Sequence, residues 1–193
     1  PGSGDHHLCG EAFFMPVLVR THLQFLSVAA AMLVVMPAEA AAQNAQQAPC
    51  SAPEYRQFDF WVGDWEVRNA AGNLAGTNTI TTMLNGCVLH EQWSGNGGSL
   101  GESFNIYDRQ TGTWHQTWVD NGGLLLRLDG GLEGDAMVLR GELQGPDGAT
   151  RKQRISWTPN DDGSVRQHWE NSTDGKNWTT LFDGTYRPRG ASD

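Results

Sequence analysis

The stretch Phe58-Asp-Phe-Trp-Val-Gly-Asp-Trp-Glu-Val67 decides how the rest of this chain is interpreted. Three aromatic residues precede Gly63, and a fourth, Trp65, follows it by two positions. Because glycine lets the backbone turn tightly, Gly63 can direct the chain into a first β-strand. We predict one short helical turn within 54–61, directly before that strand.

Turn signals rich in Gly, Asn and Asp recur at nearly regular intervals beyond this opening, for example Asn85-Gly86 and Asp174-Gly175. Between them are short segments rich in Trp, Val, Thr, Leu and Ile, without long helical periodicity. We predict ten strands, at 63–69, 75–84, 87–94, 101–108, 113–120, 123–129, 136–143, 151–158, 164–171 and 178–187. Short strands joined by tight turns are typical of an all-β domain, either an antiparallel up-and-down barrel or a sandwich.

The N-terminal region has the pattern of a secretory signal peptide. An apolar run extends from Phe25 to Met36, and small residues at Ala38, Ala40 and Ala42 then offer cleavage sites. The run is too short for a membrane span; the alternative is a buried N-terminal helix. The predicted organisation is an upstream remnant at 1–14, a signal peptide at 15–42 starting at Met15, a flexible arm at 43–53 and the β domain at 54–189. This predicts a periplasmic or secreted protein.

The cysteine pattern agrees with export. Cys9 lies upstream of the signal, which leaves Cys50 and Cys87 as an even pair. Oxidising compartments favour a disulfide between such a pair over two free thiols. A bridge that closes a loop of about 37 residues contributes about 3–4 kcal/mol in the chain-entropy account.

The charge balance restricts the classes of partner. The chain has 13 Lys and Arg against 22 Asp and Glu, a net charge of −9, and no basic cluster. Nucleic acids and anionic membrane surfaces are therefore not expected as partners.

Alternation along the strands separates the tryptophans from the histidines. Successive side chains of a strand point to opposite faces, so Glu91 shares a face with Trp93, and His90 lies on the other. In the same way, His115 lies on the face opposite to Trp114 and Trp118. His168 lies on the face opposite to Trp169. Indoles bury large areas and dominate cores and ligand cavities. We therefore predict that the tryptophan face is the interior.

An aromatic interior with a few amides and carboxylates suits a small apolar or aromatic molecule. Asn105 and Tyr107 join the interior if the polar face of their strand points inward. For the indoles, packing in a filled core is the alternative to ligand binding. The predicted ligand-binding residues are Glu91, Trp93, Asn105, Tyr107, Trp114, Gln116, Trp118, Trp157, Gln167 and Trp169.

Glu91 and Asp120 are the candidate catalytic residues. A carboxyl group in an apolar interior can act as a general acid or base, although a salt bridge to Arg154 or Arg166, or a position at the mouth, explains it equally well. The histidines are too widely spaced, and point outward, for a strong metal motif. Neither a metal nor a cofactor is predicted.

The opening resembles that of a family of secreted bacterial lipocalin-like domains for which no activity is agreed. The segments 85–93, 103–108 and 114–120 fit the same family. The resemblance implies a single up-and-down barrel at 54–189, lipocalin- or fatty-acid-binding-like, in which Trp65 plugs the closed end. It also implies that Arg187 stacks on Trp65 by a cation–π contact.

Two other kinds of barrel of this type have known ligands, haem and fatty acids, whose binding residues can be compared with this sequence. Barrels of the nitrobindin type hold haem through a histidine, but the predicted last strand, 178–187, contains none. Fatty-acid carriers use arginines inside the cavity, a part that only Arg127 or Arg154 could take. The leading hypothesis is an exported barrel that holds an apolar or aromatic ligand in a Trp-lined cavity. The alternatives are an isomerase, cyclase or hydrolase that uses a cavity carboxylate, and a filled barrel that acts as an interaction module.

Overall fold

The computed structural model describes residues 48–190. The upstream remnant at 1–14, the signal peptide at 15–42 and residues 43–47 of the predicted arm lie outside the described residues. None of the helical segments within 48–190 has the length and apolar character needed to cross a bilayer.

Ten strands follow a short helical entry. Two 3₁₀ turns, Pro53–Arg56 and Asp59–Trp61, precede the first strand, and a third, Leu84–Gly86, joins the second strand to the next. The strands are β1 (Gly63–Asn69), β2 (Leu74–Met83), β3 (Val88–Gly95), β4 (Leu100–Asp108), β5 (Thr113–Asp120), β6 (Leu125–Glu133), β7 (Ala136–Gln144), β8 (Thr150–Pro159), β9 (Val165–Ser172) and β10 (Thr179–Pro188).

The strands form a single closed barrel. Each strand pairs antiparallel with the next along the chain, and β1 pairs with β10, from Trp65 opposite Pro188 to Asn69 opposite Gly184. Closure leaves no exposed sheet edge. The prediction of an all-β, ten-stranded, up-and-down barrel after a short helical turn is confirmed.

One strand prediction was wrong in its bounds. Gly130-Gly131 has the composition of a turn, but β6 continues through it to Glu133. A methyl group on Gly130 would lie 2.1 Å from the carbonyl oxygen of Val138 on β7, so this glycine permits close approach of two backbones. The reversal instead uses Gly134, whose φ is +63°.

Aromatic residues of the helical entry close one end of the barrel. Phe58 and Trp61 are fully buried, with ring centroids 4.9 Å apart in a stacked arrangement. Phe58 also meets the ring of Trp157 on β8 at 5.2 Å, and the Trp65 indole N–H donates to the Trp61 carbonyl at 2.9 Å. The plug is therefore shared by three aromatic side chains rather than supplied by Trp65 alone.

The expected stacking of Arg187 on Trp65 was wrong. Arg187 is exposed and pairs with Asp162 at 3.6 Å, because its position on β10 points outward. The next residue inward, Tyr186, packs against Trp65, with ring centroids 6.2 Å apart and nearly perpendicular.

A disulfide fastens the helical entry to the wall. Cys50 and Cys87 are bonded across a sequence separation of 37 residues, as predicted. The Arg56 guanidinium adds a hydrogen bond to the carbonyl of Gly86 beside the bridge. Both links hold the aromatic plug against the start of β3.

The two faces of the wall divide as predicted. On the outer face, His90 stacks on Phe104 at 4.9 Å and hydrogen-bonds Glu102 at 2.8 Å. His115 contacts Asp129, and His168 hydrogen-bonds Thr180, also outside. The indoles of the same three strands lie on the inner face, where they surround the site described next.

Candidate ligand cavity

A cavity of about 350 Å³ lies inside the barrel, next to Trp157 and Tyr186, which also pack against the aromatic plug. Its lining positions on β2 and β3 lie towards the strand ends that face away from the helical entry. The aromatic lining consists of Trp93, Trp118, Trp157, Trp169, Phe182 and Tyr186. The remaining lining residues are Ala75, Glu91, Ser99, Gln116, Leu126, Ile155, Gln167 and Leu181.

Glycines on the inner face make room for the rings. A methyl group on Gly101 would lie 2.2 Å from the Trp118 ring, and one on Gly184 would lie 2.5 Å from the Phe182 ring. These rings therefore lie flat against bare backbone of the wall instead of crossing the interior. Glycine at these positions preserves the open volume between the indoles.

Glu91 is the central polar residue of the cavity wall. It lies directly opposite Ser103 in the β3–β4 register and is only 4% exposed. The Ser103 hydroxyl donates to Oε2 at 2.6 Å, and the Asn78 amide donates to Oε1 at 2.7 Å. Each carboxylate oxygen thus accepts one hydrogen bond from the protein and keeps a further lone pair.

No cation pairs with Glu91 among residues 48–190. Arg154 forms its ion pair with Glu170 at 2.8 Å, and Arg166 pairs with Asp183 at 2.8 Å, both on the outer face. Burial therefore dominates and raises the pKa of Glu91 from 4.5 to about 7, although the hydrogen bonds from Ser103 and Asn78 oppose the rise.

A chain of amides supports this carboxyl group from the β5 side. The Gln116 amide donates to Asn105 Oδ1 at 2.8 Å, and the Asn105 amide donates to the Ser103 hydroxyl at 2.9 Å. Every donor in this chain points towards Glu91. Gln116 Oε1 accepts no hydrogen bond from residues 48–190, so this oxygen remains free for a ligand.

Tyr186 extends the same network across the barrel to β9. Its hydroxyl accepts a hydrogen bond from the Asn78 amide at 3.3 Å and donates to Gln167 Oε1. Burial and the neighbouring Glu91 charge raise the pKa of Tyr186 well above its usual value, so the phenol stays neutral. The Gln167 amide nitrogen donates to no group within the described part of the chain and can serve a ligand.

Seven of the ten predicted ligand-binding residues line the cavity: Glu91, Trp93, Gln116, Trp118, Trp157, Gln167 and Trp169. Trp93 and Trp169 are fixed by hydrogen bonds from their indole N–H groups, to Ser99 at 3.1 Å and to Gln153 at 2.9 Å. Their rings are thereby held in place around the void.

The other three predicted ligand-binding residues lie off the cavity wall. Asn105 is fully buried behind Ser103 within the hydrogen-bond network. Trp114 packs edge-on against Phe58 in the plug, with its indole N–H on Gln57. Tyr107 contacts Tyr55 at 5.3 Å near the same end. All three side chains point inward, as predicted by alternation. They lie in the half of the barrel nearer the helical entry, where packed side chains fill the interior.

Asp120 belongs to a turn rather than to the cavity wall. Its Oδ1 accepts hydrogen bonds from the backbone N–H groups of Gly122 at 2.8 Å and Leu124 at 3.0 Å. This Asx-type arrangement shapes the β5–β6 hairpin. The prediction that Asp120 joins the interior is corrected, because side-chain alternation no longer fixes direction where the strand ends.

Sequence reasoning missed Asn78, Ser103, Phe182 and Tyr186. Asn78 lies on a strand with threonines at Thr77 and Thr79, so neither face stands out by hydropathy. Ser103 shares its face with Asn105, and that pairing is the signal that could have identified it. Tyr186 and Phe182 follow the same alternation across Gly184 on β10.

Within residues 48–190, no group of three His, Cys, Asp or Glu side chains is arranged to hold a metal ion. No protein-family model matches the chain, and no curated protein is significantly similar to it in sequence. The geometry of the cavity is therefore the basis on which a function is argued.

Proposed function

We propose that this chain is an exported small-molecule-binding barrel that holds a ligand with an apolar or aromatic body between its indoles. The observation that carries the proposal is the void itself. Four tryptophans, Phe182 and Tyr186 surround about 350 Å³ that no side chain fills, with Glu91, Gln116 and Gln167 at its wall. Apolar pockets with a few convergent polar groups are typical of ligand sites.

The volume limits the size of the ligand. Small-molecule sites span about 300–1,000 Å³, and this cavity lies near the lower limit. An engineered apolar cavity of about 150 Å³ already admits benzene. A benzene-sized ring with a substituent reaching Glu91 therefore suits the space better than a long lipid chain.

The Cys50–Cys87 disulfide indicates an oxidising compartment. This supports a periplasmic or secreted location, reached by means of the signal sequence inferred at 15–42. We also infer membership of the lipocalin-like family that the Phe58–Trp65 opening resembles. The closed barrel and its aromatic plug support that inference.

Intrinsic tryptophan emission tests the proposal with ring compounds of graded polarity. At least one compound is expected to change the emission of the wild-type chain saturably. The Trp169→Phe variant should lose part of that change because its ring lines the cavity. Trp178→Phe is the matched control, since Trp178 lies under the Arg154 guanidinium on the outer face. A panel without any saturable change would count against ligand binding.

A second candidate function is proton-transfer catalysis by Glu91, as in an isomerase, cyclase or hydrolase. It is favoured by one observation: a buried carboxyl group with a pKa of about 7, without a cation partner in the described residues, lines a cavity. General acids and bases work best with a pKa near the operating pH.

The catalytic alternative predicts that Glu91→Gln abolishes turnover of any substrate found while leaving its affinity largely intact. Glu142→Gln is the control, because that exposed carboxylate on β7 lies outside the cavity lining. Equal turnover in wild type and Glu91→Gln would exclude this role.

A further inference from the structure

The cavity carries an unbalanced charge pattern. Its lining contains one carboxyl group, Glu91, and one neutral phenol, Tyr186, but no Lys, Arg or His among the described residues. Arg151 on β8 has the same inward alternation as Ile155, but Asp147 in the adjoining hairpin pairs with it at 2.7 Å. A carboxylate in the cavity therefore has no positive charge from the protein facing it.

The aromatic walls add to the negative potential. The face of an aromatic ring carries the negative part of its quadrupole, and indole attracts cations most strongly. Trp93, Trp118, Trp157 and Trp169 all border the void, and each belongs to a different strand. Such a surround stabilises a positive charge that has left water.

A second carboxylate lies beside one of the rings that line the cavity. Asp120 lies next to the Trp118 indole, with Oδ2 3.5 Å from its N–H. The chain as a whole carries a net charge of −9. Both features favour the approach of a cation over that of an anion.

We propose that the cavity selects a compact organic cation, an amine or quaternary ammonium with a ring-containing body, whose charge pairs with Glu91. This inference rests on the proposed small-molecule-binding function and specifies its ligand class. An anion would place a second negative charge beside the carboxylate, and a neutral ligand would leave that charge uncompensated.

The hydrogen-bond pattern around Glu91 agrees with this ligand class. Asn78 and Ser103 both donate to the carboxylate, and each of its oxygens keeps a lone pair that can accept from a ligand. Gln116 Oε1 is a second free acceptor at the same wall. An ammonium N–H, or polarised methyl groups on nitrogen, would contact both acceptors, the Glu91 carboxylate and Gln116 Oε1.

Three matched probes test the inference by calorimetric titration and tryptophan emission: benzyltrimethylammonium, 2-phenylethanol and phenylacetate. Each has one phenyl ring, and they differ in charge. Benzyltrimethylammonium is expected to bind about tenfold more tightly than 2-phenylethanol, as a desolvated cation–π and charge contact would give. Phenylacetate should bind most weakly of the three.

The pH dependence gives a second readout that needs no variant. Because benzyltrimethylammonium keeps its charge at all pH values, its affinity should rise from about pH 6 to about pH 8 as Glu91 ionises. The other titratable groups around Glu91 are Tyr186 in the cavity and His90 on the outer face of β3. A His90→Gln control should retain the pH dependence.

Glu91→Gln removes the charge with little change of shape. It should lower the affinity for benzyltrimethylammonium about tenfold while leaving that for 2-phenylethanol unchanged. Equal affinity for all three probes, or preference for phenylacetate, would overturn the cation inference and leave small-molecule binding intact. If neither the three probes nor any other ring compound bound, both the cation inference and the proposed small-molecule-binding function would be contradicted.

Discussion

Glu91 and Ser103 face each other across β3 and β4, joined by a hydrogen bond of 2.6 Å at the wall of an aromatic cavity. The carboxyl group is buried, and no cation contacts it within residues 48–190. Burial raises its pKa, and the hydrogen bonds from Ser103 and Asn78, together with the nearby His90, oppose that rise. This relationship links the stability of the barrel to pH and to the proposed ligand.

The stability of the ligand-free protein should fall as pH rises through the neutral range. The pKa of Glu91 is about 7 in the folded state, against 4.5 for the carboxyl group of an unfolded chain. Between these two pH values the folded state therefore binds more protons than the unfolded state. The resulting stability is fully present below about pH 4.5 and is lost as pH rises through about 7, about 3 kcal/mol in all.

Urea unfolding between about pH 5 and pH 8 measures this dependence. Glu91→Gln should flatten the profile, whereas Glu142→Gln, which changes an exposed carboxylate on β7, should not. Identical profiles for wild type and Glu91→Gln would show that Glu91 does not titrate in this range.

Removal of the Ser103 hydroxyl should shift the titration of Glu91 further upward. The hydrogen bond from Ser103 favours the charged form, so its loss in Ser103→Ala leaves burial with less opposition. The variant also removes the acceptor of the Asn105 amide, which costs about 1–3 kcal/mol of stability. Carboxyl carbon shifts in NMR, followed against pH, report the change. An unchanged or lower pKa would contradict the network described here.

Loss of the disulfide should destabilise the barrel by about 3–4 kcal/mol, because the bridge closes a long loop of the unfolded chain. The paired variant Cys50→Ser with Cys87→Ser is compared with the oxidised wild type by denaturant unfolding. Wild type in reducing agent is the control and should match the variant. A free energy of unfolding equal to that of the oxidised chain would mean that the plug is held without the bridge.

A side chain at Gly101 should narrow the cavity. Gly101→Val would force the Trp118 ring away from the wall and into the void. We expect ligand affinity to fall by about tenfold, because the displaced ring takes up part of the volume that a ligand would occupy. Gly97→Ala is the matched control, because no neighbouring atom lies within 4 Å of the added methyl group. Equal affinity in both variants would mean that Trp118 does not border the binding volume.

The inner face of the barrel could be predicted where tryptophans alternate with polar residues. On β3, Glu91 and Trp93 share one parity and His90 the other, so the large indole identified the interior. On β2 and β10 this contrast is absent. Asn78, which lies among threonines, became recognisable only through its hydrogen bonds to Glu91 and Tyr186. Tyr186, on the same face as Gly184, became recognisable through the bond from Asn78 and its own bond to Gln167.

Turns and depth along the barrel were less predictable. Gly130-Gly131 has turn composition, but Gly130 lets β6 run close to β7. Asp120 lies at a strand end, where the hairpin captures its carboxylate. Side-chain alternation also does not distinguish the filled half of the barrel from the hollow half. It therefore predicted Trp114 and Trp118 equally as cavity residues. The aromatic entry residues Phe58 and Trp61 decide between them by filling one end.

The central claim is that indoles from four strands surround an open volume beside Glu91. A crystal structure of the protein under xenon pressure tests this most directly, because xenon enters apolar cavities that side chains leave empty. The account predicts xenon density between the rings of Trp93, Trp118, Trp157 and Trp169. Rings that meet at the barrel axis, with no density between them, would contradict it.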